Sequence, residues 1–89
     1  MNKQEILRHL SGFCQDITVD DERYVYTDDI FLCGLEVGDD SITVFYPHYN
    51  KERCERFTGI SGYDDIIDIW SEYQYRLKKV KSKLVQSGV

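Results

Sequence analysis

The last third of the chain, residues 62–86, carries apolar side chains at the three- and four-residue spacing of an amphipathic α-helix. This periodicity predicts one long helix, and its apolar face holds the only tryptophan of the chain. The side chains on that face are those of Tyr63, Ile66, Ile67, Trp70, Tyr73, Leu77, Val80 and Leu84. Ile69 and Tyr75 lie off the face, so both are candidates for contact with a partner or with a second copy of the chain.

The beginning of the chain predicts a second, shorter helix. Asn2 with Glu5 three positions later forms a capping pair, and Gly12 supplies a stop after two to three helical turns. The apolar stripe of this helix consists of Ile6, Leu7 and Leu10.

From Asp16 onwards the periodicity changes from helical to alternating, which is typical of β-strands. The segments with strand patterns are residues 17–19, 23–27, 30–37, 41–46 and 52–60. Residues 30–35 are apolar at both parities, which predicts a central strand covered on both sides. In the strand at 41–46, we expect Ile42, Val44 and Tyr46 to share one face. The charged alternation of residues 52–60 fits an exposed edge strand.

Acidic residues, glycine and a single proline separate these strands. The predicted breaks are Asp20-Asp21-Glu22, Asp28-Asp29, the hairpin turn Gly38-Asp39-Asp40, and Pro47. Together the elements predict one α+β domain over residues 1–89: a short N-terminal helix, a three- to four-stranded antiparallel β-meander, and the long helix packed on one sheet face.

Charge is ordered along the long helix. Acids fill its first half and bases its second: Asp64, Asp65, Asp68 and Glu72, then Arg76, Lys78, Lys79, Lys81 and Lys83. Both placements stabilise the helix macrodipole, by roughly 0.3–1 kcal/mol for a well-placed terminal charge. Helix stability therefore explains the basic run, with contact to nucleic acid or an acidic partner as the alternative. Ser61 with Asp64 resembles a capping box, and Gly88 follows the last apolar turn.

The composition is that of a small globular chain with an excess of acid. Of its 89 residues 42% are hydrophobic, and sixteen acids against eleven bases give a formal charge of −5. Such a protein is not expected to bind nucleic acid over its whole surface. The first ten residues do not resemble a signal peptide, and the apolar run at 30–35 is too short to cross a bilayer. We therefore expect no membrane association and a cytoplasmic location, the host cytoplasm if the protein is encoded by a phage.

Neither a cofactor nor catalytic chemistry is expected. Cys14, Cys33 and Cys54 are widely spaced and odd in number, which favours reduced thiols. The sequence contains no CxxC or HxxxH pair, so nothing in it indicates a zinc site that would include His9 or His48. Neighbouring carboxylates in a strand point to opposite faces and converge poorly on one ion, and no EF-hand, nucleophile–histidine or phosphate-loop pattern is present. The sequence therefore predicts a protein that is not an enzyme.

Aromatic side chains in the strand region offer a different possibility. An aromatic patch on a sheet face is the arrangement that RNA-binding sheets use to stack bases. The candidates are Tyr24, Tyr26, Phe45, Tyr46 and Tyr49. Their acidic surroundings do not suit an RNA platform, and packing against the long helix is the preferred interpretation.

Segregation of charge is the most informative feature of the sequence. Between Cys14 and Tyr46 there are nine acids and one base, Arg23. These acids can form a surface that mimics the phosphate row of DNA and occupies a basic groove on another protein. Alternatively, they are ordinary turn residues that keep a small protein soluble. The second interpretation accounts less well for the near absence of lysine and arginine across this segment.

Small acidic inhibitors encoded by phages, including anti-CRISPR and anti-restriction proteins, are similar to this chain in size, charge and lack of catalytic motifs. The leading hypothesis is a non-enzymatic protein-binding module that regulates a larger basic protein, such as a nuclease or another nucleic-acid-binding protein. The candidate contact residues are Asp20, Asp21, Glu22, Asp28, Asp29, Asp39, Asp40, Asp64, Asp68, Glu72 and Tyr75. The alternative is an assembly domain that forms a homodimer through Ile69 and Tyr75 of the long helix.

Overall fold

In the part of the chain that the structure describes, two helices enclose a run of five strands. The computed structural model describes residues 1–49 and 53–87, with the backbone alone from residue 84 onwards. The elements are α1 (Lys3–Ser11), β1 (Thr18–Asp20), β2 (Tyr24–Tyr26), β3 (Gly34–Gly38), β4 (Ser41–Phe45), β5 (Glu55–Thr58) and α2 (Tyr63–Ser87). All strands are antiparallel and lie in one sheet in chain order. The predicted α+β fold is confirmed, and its meander has five strands.

The fifth strand comes from the segment predicted as an edge. Among the described residues β5 pairs with β4 alone, and three of its four residues are exposed, as the charged alternation indicated. Asn50, Lys51 and Glu52, the last of which begins the predicted strand, lie outside the described residues.

The central strand begins four residues later than predicted. Asp28 accepts a hydrogen bond from the N–H of Leu32 at 2.8 Å, and Phe31 has a φ of 52°. This turn takes up the apolar residues before Gly34 without adding them to the sheet: Leu32 and Cys33 are buried, Phe31 is half-buried, and Ile30 is 62% exposed. Apolar content at both parities predicted burial correctly for residues 32–35 but wrongly for Ile30, and it could not separate a strand from a turn.

The core lies between one face of the sheet and the two helices. Ile42, Val44 and Tyr46 all point into it, which confirms the predicted facing of β4. From α2 the core receives the side chains of Ile66, Ile69, Trp70, Tyr73, Leu77 and Val80. The core residues of the sheet and of the two helices come from distant parts of the chain, and they form one contiguous apolar cluster.

The buried face of α2 is rotated relative to the prediction. Ile69 is only 5% exposed, so its predicted position off the apolar face is wrong. Tyr63 and Ile67, which were placed on that face, are 48% and 37% exposed. Successive residues of a helix are about 100° apart around its axis. If the buried face is centred between Ile66 and Tyr73, Ile69 lies within it on one side, and Ile67 lies at the margin on the other side. Tyr63 covers the ring of Phe13 instead, with ring centroids 5.6 Å apart.

Both helices begin with side-chain caps. The Oδ1 atom of Asn2 accepts the N–H of Glu5 at 2.9 Å, as predicted. For α2 the cap is one residue further along than predicted, because the N–H and Oγ of Ser61 both donate to Asp65. The helix begins at Tyr63, so Asp65 rather than Asp64 occupies the position that can reach back to Ser61. Gly88 lies outside the described residues.

Candidate protein-binding surface

The antiparallel order of the strands brings three acidic segments to one end of the sheet. The β1–β2 and β3–β4 turns both lie there, and β5 runs towards this end before α2 begins. Adjacent strands are about 4.8 Å apart, so the two hairpin turns are centred about 10 Å from each other. We call this surface the acidic end; it consists of Asp20, Asp21, Glu22, Asp39, Asp40 and Asp64, all of them exposed.

The β1–β2 turn holds two of its acids in an unusual backbone conformation. Asp21 and Glu22 have φ values of 54° and 56°, and the N–H of Arg23 donates to the carbonyl of Asp20 at 3.1 Å. This is the geometry of a type I′ turn, which normally has Asn, Asp or Gly at the first of these positions and Gly at the second, so Glu22 is the unusual residue. Asp21 also lies 3.1 Å from the guanidinium of Arg23. The turn therefore presents three carboxylates, one of which has an ion-pair partner.

The acids of the β3–β4 turn also have a structural role. The Oδ1 atom of Asp39 accepts the N–H of Lys3 at 2.9 Å, and the N–H of Asp40 donates to the carbonyl of Met1 at 2.8 Å. These bonds join the beginning of α1 to the hairpin. Asp39 and Asp40 remain exposed, but replacing them would alter the fold as well as the charge.

Asp28 and Asp29 lie at the opposite end of the sheet. Asp28 is only 8% exposed, and one of its carboxylate oxygens holds the Leu32 N–H. Within the part of the chain that the structure describes, its other oxygen is buried and has no hydrogen-bond partner. Asp29 is exposed. Neither of these candidates is brought together with the acidic end, and Asp28 is not available at the surface.

A second acidic feature is a groove between β5 and α2, with a volume of about 460 Å³. Phe57, Ile60 and Ile69 give it an apolar lining. Four carboxylates also line it, and we call the site the acidic groove: Glu55, Asp65, Asp68 and Glu72. The sequence singled out Asp68 and Glu72 but not the other two, because Glu55 is brought to the helix only by the pairing of β5 with β4.

Arg76 closes one end of the acidic groove. Its guanidinium donates to Glu72 at 2.7 Å, to Glu55, and to the carbonyl of Arg53 at 2.9 Å. Partial burial alone would lower the pKa of Arg76, but its hydrogen bonds to Glu72 and Tyr46 outweigh that and raise the pKa above its ordinary value. Arg76 was predicted to compensate the helix dipole, yet its contacts join α2 to β5.

The two remaining acids of the groove differ in their surroundings. Hydrogen bonds from the backbone and hydroxyl of Ser61 lower the pKa of Asp65, which therefore stays ionised. Asp68 is exposed, and among the described residues it makes no hydrogen bond or ion pair. Asp68 is thus the carboxylate of the groove most available to a partner.

The sheet face opposite the helices carries an aromatic cluster. Tyr24, Tyr26 and Phe45 alternate with core residues and so point away from α2, which corrects the expectation that they pack against it. Phe31 stacks on Tyr26 with ring centroids 3.9 Å apart. A Cβ on Gly34 would lie 2.0 Å from the Phe31 ring, so only glycine permits this arrangement. The cluster covers itself, and each of its rings is half-buried.

The other aromatic candidates do not join this cluster. Tyr46 is in the core and Tyr49 packs against it. Tyr75 is 60% exposed, in keeping with its predicted position off the apolar face of α2. Since Ile69 is buried, Tyr75 is the one residue of the predicted dimer pair that a second copy could contact.

Other kinds of site find no support in the part of the chain that the structure describes. No group of three or more His, Cys, Asp or Glu side chains in residues 1–49 and 53–87 is arranged to hold a metal ion. Over the same residues neither helix combines the length and the apolar character needed to cross a membrane. Comparison of the chain with known protein families, curated proteins and solved structures gives no match.

Proposed function

We propose that this protein is a non-enzymatic binding module that regulates a larger basic protein, such as a nuclease, by occupying its nucleic-acid-binding groove. The observation that supports this proposal is the convergence of two hairpin turns and the start of α2 into the acidic end. Acids that are scattered over 45 positions of the sequence, from Asp20 to Asp64, thereby form one exposed surface.

A surface of this kind acts through charge density rather than through one specific bond. Clustered carboxylates raise the rate of encounter with a basic groove and compete with phosphates for the same lysines and arginines. The positive groups next to the acidic end are Lys3, Arg23, Arg56 and the N-terminal ammonium. Arg23 is already paired with Asp21, and the ammonium lies 3.5 Å from Asp40. The negative field of this end is therefore only partly compensated.

The strain of the β1–β2 turn also supports the proposal. A turn that served only solubility could use asparagine and glycine at the positive-φ positions without steric cost. Aspartate is tolerated at the first of these positions, but Glu22 keeps a carboxylate at the tip of the hairpin although the left-handed conformation costs it roughly 1–2 kcal/mol. Strain of this kind is found disproportionately at functional positions.

Homodimerisation through α2 is the weaker candidate. It relied on Ile69 and Tyr75, and Ile69 is part of the core. Even with the partly exposed Tyr63 and Ile67, Tyr75 gives far less apolar area than the 1,200–2,000 Å² or so that stable interfaces bury.

The test compares two variants with the same change in net charge. Asp21→Asn/Glu22→Gln removes two carboxylates from the acidic end, whereas Asp16→Asn/Asp29→Asn removes two exposed carboxylates from the opposite end. Partners captured from lysate of the native source are identified, and their affinity for each variant is measured over a range of salt concentrations.

We expect the first variant to bind at least about tenfold more weakly than the second, equivalent to about 1.4 kcal/mol, with a shallower dependence on salt. Duplex DNA should displace the wild-type protein from its partner. Equal affinities and equal salt dependence for the two variants would show that the acidic end does not recognise the partner, and the proposal would be wrong.

A further inference from the structure

We infer that the free edge of β5 and the acidic groove beside it bind an extended, lysine- or arginine-rich segment of the partner as a sixth strand of the sheet. This inference rests on the proposed function, because it assumes a basic partner, and it adds the place and the manner in which one segment of that partner is held.

The backbone of β5 has an unused hydrogen-bonding edge. The two-residue turn between β3 and β4 closes on a hydrogen-bonded pair, Gly38 with Ser41, so the ladder alternates from there. Ile42 and Val44 consequently bond to β5, and the N–H and C=O groups of Arg56 and Thr58 point away from β4. No strand in the described ranges pairs with that side of β5.

The acidic groove runs beside this open edge. Its lining combines β5 side chains, Glu55 and Phe57, with the α2 side chains of Asp68 and Glu72. A strand added to β5 would turn every second side chain towards α2, at intervals of about 6.7 Å. Main-chain hydrogen bonds would supply affinity, and the groove would select those alternate side chains, as in other cases of strand addition.

The charges of the groove determine which occupant fits. Four carboxylates line the groove. The guanidinium of Arg76 is bonded to two of them, those of Glu55 and Glu72. Asp68 stands exposed between Asp65 and Glu72, so a lysine or arginine directed into the groove would find an available carboxylate. The apolar lining suits the aliphatic stems of such side chains.

A second copy of the chain fits the same edge poorly. In an antiparallel pair of β5 strands related by a two-fold axis, Glu55 of the second copy would face the carboxylates of the first. Like charges placed opposite each other across a sheet are destabilising. The same acids thus disfavour self-association of the exposed edge while they favour a basic segment.

The probe is a synthetic peptide of eight residues in which lysine alternates with threonine. A second peptide has the same charges, but its alternate backbone amides are N-methylated so that it cannot pair with a strand edge. Binding is measured by fluorescence anisotropy at low salt, and the amide signals of the protein are followed by NMR.

We expect the unmodified peptide to bind and to shift the amide signals of Arg56 and Thr58. Asp68→Asn should weaken it at least about tenfold, the matched change Asp16→Asn should leave it unaltered, and the N-methylated peptide should bind at least about tenfold more weakly. Thr58→Pro removes one outward N–H without touching a bond to β4, and it should weaken binding without a change of charge.

Equal binding of the two peptides would overturn strand addition, whatever the effect of charge. A dimer formed by the protein alone, with shifts at Arg56 and Thr58, would assign the edge to a second copy and would also overturn the inference. These failures remain distinct from failure of the proposed function, which is measured with the protein partner and with Asp21→Asn/Glu22→Gln.

Discussion

At the scale of single residues, Tyr73 shows how a polar atom holds the two layers together. Its side chain is fully buried, and its hydroxyl accepts the N–H of Thr27 at 2.9 Å and lies 3.1 Å from the Thr27 hydroxyl. Tyr73→Phe would leave that partly buried N–H without a partner. We expect the free energy of unfolding to fall by about 1–3 kcal/mol, measured by urea denaturation. Tyr75→Phe, at an exposed position, should change it by less than about 0.5 kcal/mol.

The same residue predicts how stability changes at alkaline pH. Burial raises the pKa of Tyr73 to about 12, above its ordinary value of 10.0. As pH rises, the phenol therefore loses its proton in the unfolded chain before it does so in the folded protein. The contribution of Tyr73 to the free energy of unfolding is complete below about pH 10 and is lost between about pH 10 and 12. Unfolding free energies measured across that range should fall more steeply for the wild type than for Tyr73→Phe. Parallel profiles would show that the phenol is not protected by the fold.

Single residues also show where sequence reasoning ends. Asp28 and Asp29 are identical neighbours, yet one is buried and the other exposed. The difference arises because the chain turns back and directs the Leu32 N–H at Asp28. Asp39 likewise caps α1 from 36 positions away. Acidity could be read from the sequence, but partners that depend on the fold could not.

At the scale of elements, the extent of α2 was more predictable than its rotation. Its bounds follow from a long apolar period, and one cap was misplaced by a single residue. The buried face was misjudged because Ile67 and Ile69 flank the same stripe, and the sequence does not show which side the sheet covers. Ile69 lies in the core cluster with Ile60, and Phe57 packs against that cluster, so the covered side is the one that faces β5.

The edge strand β5 depends on a single side chain for its link to α2. It pairs with one strand, and Arg76 joins it to α2 through Glu55 and the carbonyl of Arg53. Arg76→Gln would break these contacts and leave Glu55 beside Glu72. We expect a loss of about 1–2 kcal/mol in the free energy of unfolding, since the pairs are partly screened by solvent.

Hydrogen exchange can locate that loss. The amides of Glu55 and Phe57 face β4. In Arg76→Gln they should exchange faster than in the wild type, whereas the exchange rates of the β3 amides should not change. The control is Lys78→Gln, which removes an exposed positive charge from the same helix and should leave both rates unchanged. Unaltered protection of β5 in Arg76→Gln would mean that β4 alone holds the strand.

At the scale of the whole molecule, topology converts a run of acids into two separate groups. The sequence shows nine acids between Cys14 and Tyr46, but only the alternating direction of the strands places one group with the start of α2 and the other at the far end. The acidic groove depends even more on topology, since its two walls come from β5 and α2. Neither arrangement could be derived before the number and order of strands were known.

This distribution of charge predicts a conflict between stability and binding. Asp21→Asn/Glu22→Gly places the residues that a type I′ turn prefers at the two positive-φ positions and removes two carboxylates from the acidic end. The free energy of unfolding should rise by about 1–2 kcal/mol, although the exposed pair of Asp21 with Arg23 is lost, because such pairs contribute little. Affinity for a basic partner should fall at the same time.

Salt separates the two causes of this gain in stability. Relief of backbone strain does not depend on ionic strength, whereas relief of repulsion among carboxylates disappears as salt screens them. Asp21→Asn/Glu22→Gln removes the same charges but keeps a side chain at the second position, so at high salt it should gain less than the glycine variant. If both variants were less stable than the wild type at every salt concentration, the turn would be held by contacts of Asp21 and Glu22 rather than strained by them.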